Sequence, residues 1–161
     1  MYWKLSYRAD NAALPLANRH YSRQKPDTSQ FVAPGRCVVL TGLNADALWV
    51  SLWQRPEFVD HAWKDAWVCS LFRNESAGLS SELVRQAVAA TRFDWPRVPS
   101  QGMVTFVDPN RVRRKRDPGR CFVRAGFQPC GVTKGGLLVF KLPPDAMPEA
   151  ETPIGGQFAL L

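Results

Sequence analysis

The chain has 161 residues, 45% hydrophobic and 22% charged, which is the balance of one globular domain with a buried core and not of a disordered segment. No apolar run approaches the roughly 20 residues of a membrane span, and residues 1–8 lack the apolar stretch of a secretion signal, so no membrane partner and a cytoplasmic location are expected. The net charge is +7, of which residues 111–120 carry +5, so the basicity is a local device more than a general surface property.

In chain order, residues 10–24 are predicted to form a helix capped by Asp10 or Asn11, with Leu14 and Leu16 inward. Its polar end is Asn18-Arg19-His20-Tyr21-Ser22. Lys25-Pro26-Asp27 and Ala33-Pro34-Gly35 mark residues 24–35 as a loop. Strands are expected at 37–40 and 47–53, joined by a hairpin connection through 41–46. Residues 55–65 read as a polar, aromatic stretch with a short helix and Trp63 turned inward. A mostly apolar, central strand follows at 66–72.

After residues 73–78 comes a helix with Leu79, Leu83, Val84, Ala87, Val88 and Thr91 on one face, a 3.6-residue period that Pro96 and Pro99 bring to an end. Residues 103–107 form another strand, and the basic loop follows Asp108-Pro109-Asn110. Asp117-Pro118 supplies an N-cap and a first-turn proline for a short helix over 119–125, with Gly126 at its C′ position. Two last strands, 127–130 and 136–142, surround the turn at Lys134-Gly135-Gly136. Residues 143–161, with four prolines and three acids, are expected to be an irregular tail. The whole reads as one α/β domain over 1–142 with that tail appended.

Cys37, Cys69, Cys121 and Cys130 form no Cys-x-x-Cys pair, and His20 and His61 are the two histidines, a spacing that disfavours a four-ligand zinc site. Cys37 and Cys69 lie in apolar runs and read as small buried side chains. A stronger chemical signal is strand, Arg73-x-x-Ser76-x-Gly78, helix. The first N–H groups of a helix lack internal partners and its dipole favours negative charge, so this is a place for a phosphate.

The order of these elements, with Phe122-Val123-Arg124-Ala125-Gly126-Phe127 ending the later helix, resembles the GNAT acyltransferase family over residues 66–142, and over 37–53 by strand order. The resemblance implies a GNAT-like mixed sheet with helices on both faces and acetyl-CoA, or a CoA derivative, as cofactor. It implies that Arg73, Asn74, Ser76, Gly78, Leu79 and Ser80 hold the pyrophosphate. Asn110 would contact the pantetheine arm, and the backbone at Ser70 and Leu71 would offer an N–H to the thioester oxygen, an oxyanion-type contact. Three departures stand out: Ser76 replaces the first motif glycine, the basic loop is inserted, and Phe122 occupies the place of the family's Tyr acid. Phenylalanine has no proton to donate.

His20 and Tyr21 are the candidates to replace it, as acid, base or metal ligand, and Asp108 is placed to orient a nucleophile or accept its proton. Asn18-Arg19-His20-Tyr21-Ser22, Phe72-Arg73-Asn74 and the Arg-rich loop together resemble the phage Mom family, DNA modification enzymes that convert the exocyclic nitrogen of adenine to a carbamoylmethyl form and protect viral DNA from restriction. That resemblance implies group transfer onto adenine in DNA, in the host cytoplasm if phage-encoded. Arg111, Arg113, Arg114, Lys115, Arg116 and Arg120 would neutralise phosphates. Tyr21, Phe31 or Trp53 would stack on a base drawn out of the duplex. Two other readings fit the same residues: an acetyltransferase for an acidic protein, a nucleotide or an aminoacyl-tRNA, and a DNA-binding protein of this fold without catalysis. Oligomeric state and any metal are left open by the sequence.

Overall fold

The structure, a computed structural model, describes residues 1–23, 28–111 and 117–156. The candidate DNA contacts Arg113, Arg114, Lys115 and Arg116, and the turn residues Lys25-Pro26-Asp27, lie outside the described residues.

Seven strands form one mixed sheet: β1 (Trp3–Leu5), β2 (Arg36–Gly42), β3 (Ala47–Trp53), β4 (Trp67–Asn74), β5 (Met103–Val107), β6 (Gln128–Val132) and β7 (Leu138–Leu142). Their order across the sheet is β1-β2-β3-β4-β5-β7-β6. Three helices accompany them: α1 (Leu14–Asn18), α2 (Ser80–Asp94) and α3 (Arg120–Arg124). Among the described residues no helix is long and apolar enough to cross a membrane.

β3 shows how the sequence makes the core. Successive side chains of a strand point to opposite faces. Ala47 and Trp49 join one apolar cluster with Val84, Ala87 and Val88 of α2, whereas Leu48, Val50 and Leu52 join a second with Leu16 and Ala17 of α1. Ser51 falls on the first face and is satisfied there. The Trp49 indole N–H donates to Ser51 Oγ at 2.7 Å, and Ser51 Oγ lies 2.8 Å from Thr91 Oγ1, which in turn donates to the Ala87 carbonyl. Ser51→Ala leaves the buried indole N–H of Trp49 without its acceptor. It is expected to cost about 1–3 kcal/mol in urea unfolding with an unchanged m-value.

The expected helix over 10–24 contracts to five residues. Asp10 Oδ1 accepts the Ala12 N–H at 2.9 Å and the Asp10 carbonyl accepts from Ala13 and Leu14, so the chain turns before the helix starts. Ala13 is the N-cap and no side chain caps this end. Pro15 has no N–H to give and sits in the first turn. At the other end the His20 N–H bonds the Ala17 carbonyl, a tight closure that delivers residues 19–22 as turns.

Other expectations shift by a residue or an element. β1 comes from the N-terminal segment. Its Trp3 is fully buried and donates its indole N–H to the Leu83 carbonyl at 2.8 Å. Leu79 precedes α2 as its N-cap residue and is 63% exposed instead of facing the core. Residues 55–65 hold one short 3-10 turn at Pro56–Phe58, with Trp63 half-buried. The N-cap of α3 is Gly119 in the left-handed region at φ +83, without a side-chain cap, and Asp117 instead lies 3.6 Å from Arg120 as an ion pair. Gly126 does end α3: at φ +106 it donates to the Val123 carbonyl while Phe127 reaches back to the Phe122 carbonyl, the paired bonds of a Schellman ending.

Residues 143–156 dock against the domain. Met147 belongs to the main core, Glu151 donates its N–H to the Ala89 carbonyl, and Ile154 pairs in parallel with Lys4 along the outer edge of β1. The opposite edge strand, β6, is exposed along its length and is interrupted by an irregular register between Pro129 and Gly131.

Candidate functional site

β4 and β5 are the parallel pair of the sheet, and their ladder is short: Trp67, Val68 and Cys69 pair with Met103, Val104 and Thr105. Past that point β4 continues to Asn74 bonded to β3, and β5 continues to Val107 bonded to β7. One edge of β4 is therefore left without a neighbouring strand. A cleft of about 440 Å³ opens here, lined by Val68–Phe72 of β4, Thr105–Val107 of β5, His20-Tyr21-Ser22, Gly119, Cys121, Phe122 and Leu137.

The β4 wall is bent. Val50 pairs with Leu71 but Ser51 pairs with Cys69, so Ser70 is an extra residue on β4, a bulge at the cleft. Bulges of this kind re-aim backbone groups beside functional sites. The expected backbone contact at Ser70 and Leu71 thus falls on a strand whose free edge faces the cavity.

The turn after α1 also lines the cleft, next to the end of β4. The His20 and Tyr21 rings are stacked with centroids 4.5 Å apart. His20 Nδ1 accepts the Ser22 N–H at 3.2 Å and lies 2.7 Å from Ser22 Oγ, an arrangement that a neutral imidazole satisfies. Burial, followed by the nearby Arg73 charge, holds the His20 pKa down at about 4 against the Phe72 contact, which works the other way. The unfolded chain thus binds a proton between pH 6.5 and about 4 that the folded one refuses, so this group's contribution to stability is complete above pH 6.5 and is lost as pH falls toward 4. An NMR titration of His20 is expected to show neutral imidazole down to about pH 5; a midpoint near 6.5 would mean that the ring is not enclosed as described.

Tyr21 is the more available of the two. Its hydroxyl accepts the Asp108 N–H at a long 3.4 Å, leaving its own proton free, and burial raises its pKa above the ordinary value of 10, so it stays a phenol at neutral pH. Asp108 closes a turn by accepting the Asn110 N–H at 2.9 Å, and its carboxylate lies 3.7 Å from Arg111, whose guanidinium also reaches the Tyr21 carbonyl at 3.3 Å. Asp108 and Arg111 thus gather beside Tyr21 at the rim, but of these three only Tyr21 lines the cleft. Asn110 is exposed and also outside the lining.

The expected phosphate loop is built differently from the expectation that all its residues face a ligand. Asn74 ends β4 and organises the turn itself. Its side-chain amide donates to the Gly78 carbonyl at 2.8 Å and Ser80 Oγ at 2.9 Å, and its oxygen accepts the Ala77 N–H at 2.9 Å. Ser76 takes a left-handed φ of +68, and a Cβ on Gly78 would meet nothing within 4 Å, so the backbone there is open to an approaching group. No side chain caps the first N–H groups of α2, although Glu82 lies in that turn. Arg73 serves first as a strut: it bonds the Glu75 carboxylate and the Arg19 carbonyl, and Arg19 binds the same carboxylate through two contacts at 2.8 Å. Those hydrogen bonds bring the Glu75 pKa down to about 2. None of Arg73, Asn74, Ser76, Gly78, Leu79 and Ser80 lines the cleft, and Arg120 lines a second hollow beside Asp117, Val123 and Phe140.

The remaining lining residues are mostly apolar, and of these Phe106 and Cys121 had no site signal in sequence. Phe122 is nearly buried, its ring edge-on to Phe72 and Phe127. Cys69 and Cys121 are free thiols whose pKa burial raises, Cys121 to about 11, so neither is a ready nucleophile near neutral pH. Phe106 joins the cleft to a half-buried aromatic group with His61 at 5.0 Å and Trp63 at 6.0 Å. Of the aromatics expected to stack on a base, Phe31 is in the core and Trp53 lies under two arginines, which leaves Tyr21 in the cleft. Among the described residues no group of three or more His, Cys, Asp or Glu side chains is arranged to hold a metal ion.

No family model, curated protein or solved structure matches this chain.

Proposed function

We propose that the chain is a GNAT-type transferase of the Mom kind, which moves a CoA-borne group onto the exocyclic amine of adenine in DNA. The observation that carries this reading is the cleft where β4 parts from β5, lined by both the Ser70 bulge and the Tyr21 phenol. The alternation of β3 side chains between an α2-containing and an α1-containing cluster supports helices on both faces of the sheet. The free edge of β4 suits an extended chain of amides such as a pantetheine arm, and the open turn at Ser76 and Gly78 suits its phosphates.

Acetyl-CoA, or a derivative, supplies an activated carbonyl and a thiolate leaving group. The bulged backbone at Ser70 and Leu71 offers N–H groups to the oxygen that gains charge. Tyr21 protonates the departing sulfur, the task for which Phe122 is unfit. Asp108 takes the proton that the amine sheds as it adds. The adenine amine is a weak nucleophile because its lone pair is delocalised into the ring, so alignment beside Tyr21 and Asp108 matters more than for an alkyl amine. Phe106, with His61 and Trp63, provides an aromatic wall for the base, and the six cations of residues 111–120 answer the phosphates.

Nucleosides from the DNA of cells expressing the protein test this directly. A mass-shifted deoxyadenosine is expected; unmodified deoxyadenosine, with the protein soluble and folded, overturns the reading. The packing of Phe122 between Phe72 and Phe127 favours one second reading, a DNA-binding protein of the same fold without catalysis. Calorimetry with acetyl-CoA separates the two: heat of binding supports the transferase, and its absence at millimolar ligand supports the binding protein.

A further inference from the structure

At the end of the sheet away from the cleft, Arg36 and Trp53 are cross-strand partners in the β2–β3 register. The Arg36 guanidinium carbon lies 5.0 Å from the Trp53 ring centroid and 5.5 Å from that of Trp95. Arg97 reaches the same Trp53 ring at 5.2 Å from the opposite sequence direction, out of a segment bounded by Pro96 and Pro99. The indole is itself anchored, 5.3 Å from Trp95 and 5.9 Å from Trp67. Both arginines are exposed.

Two like charges on one ring, within about one Debye length (~10 Å at 0.1 M salt) of each other, repel. Among the described residues neither guanidinium forms an ion pair or donates a hydrogen bond there. Asp65 attracts Arg97 from beyond ion-pair distance, its Oδ2 held by the Ser100 N–H at 2.9 Å and the Ser100 hydroxyl at 2.5 Å, so Arg97 is balanced in part and its N–H groups stay unengaged. A planar guanidinium held by stacking keeps its outward N–H fork in place, the geometry that suits phosphate oxygens.

We infer that Arg36, Trp53 and Arg97 form a phosphodiester-binding platform that grips the backbone of the DNA at a distance from the modified base, an inference that rests on DNA being the substrate. β4 runs from Trp67, beside the platform, to the Ser70 bulge in the cleft, and at about 3.3 Å per residue that is roughly 10 Å. At about 3.4 Å per base pair the platform meets the duplex roughly three base pairs from the target adenine. Phosphate contacts of this kind set register and orientation without reading sequence.

Fluorescence anisotropy of a labelled duplex, followed from about 50 to 200 mM salt, tests the platform. For Arg36→Gln with Arg97→Gln the slope of log K against log salt is expected to shallow by about 1.8, the loss of two phosphate contacts. Arg36→Lys with Arg97→Lys keeps the charges and is expected to recover most of that slope. Should the double Gln variant fail to fold by near-ultraviolet circular dichroism, Arg97→Gln alone is expected to shallow the slope by about 0.9. An unchanged slope in a folded variant overturns the platform while leaving the DNA reading intact. Native protein that binds no DNA at any salt concentration overturns the DNA reading and the platform with it.

Discussion

Replacing Tyr21 with Phe is expected to lower the turnover of the transfer reaction by about 10²–10⁴-fold, the usual worth of a positioned general acid, with DNA affinity nearly unchanged. The substitution keeps the ring and so keeps the stack on His20 at 4.5 Å. It removes only an oxygen whose single partner in the described residues is a long contact from the Asp108 amide. A phenol with a raised pKa is protonated across the neutral range, and Tyr21 lines the same cleft as the β4 bulge. Single-turnover assays read by nucleoside mass spectrometry measure the chemical step. A loss below tenfold would assign the acid role elsewhere. Added evidence would come from placing a hydroxyl at the other wall: Phe122→Tyr in the Tyr21→Phe background is expected to recover part of the rate, since Phe122 lines the same cavity.

The second large effect is on folding. Gly102 sits just before β5 at φ +69, its carbonyl accepts the Trp67 N–H at 2.8 Å, and a Cβ there would collide with the carbonyl oxygen of Leu142 on β7. Gly102→Ala therefore combines a left-handed conformation that a side chain resists with an overlap against fixed backbone. These cost about 1–3 kcal/mol each, roughly 2–6 kcal/mol together. For a domain of this size a loss in the middle of that range lowers the melting temperature by roughly 10 °C. Urea and thermal unfolding of the purified variant measure it. A change under about 1 kcal/mol would show that β5 and β7 part easily at this end, which the ladder from Met103 to Leu142 argues against.

What sequence could and could not show follows from the range over which each signal acts. The limits of β3 and β5, the hairpin after β2 and the body of α2 were legible because period and turn chemistry are local. β1 was not, since three residues carry no period and Trp3 earns its place through contact with Leu83, eighty residues away. The helix expected over 10–24 overran because Asp10 was read as a cap when its side chain closes a turn two residues on. Asp117 was likewise read as a cap, while Gly119 takes that place because its Cβ position lies against the Phe140 ring. At the site, Tyr21 and Ser70 were named on motif grounds, but their meeting across one cavity depends on where β4 loses β5 as a partner. The Ser70 bulge is a mismatch in count between two strands, and no single strand records it. Arg73 and Asn74 were read as ligand contacts, yet their bonds to Glu75, Gly78 and Ser80 make them the frame of the turn.

The single bridge that Ile154 makes beside β1 bears on how the protein behaves at high concentration. Leu5 donates to the Ile154 carbonyl at 2.9 Å and Ile154 donates to the Trp3 carbonyl at 3.0 Å, so the groups that β1 would otherwise offer outward are already taken. β6, at the far side, has Pro129 and a broken register to discourage a newcomer. A chain cut back to the last strand of the sheet would keep the cleft but leave β1 as an open edge, a ready template for pairing with a second molecule. The C-terminal segment is thus a guard against self-assembly as well as a brace.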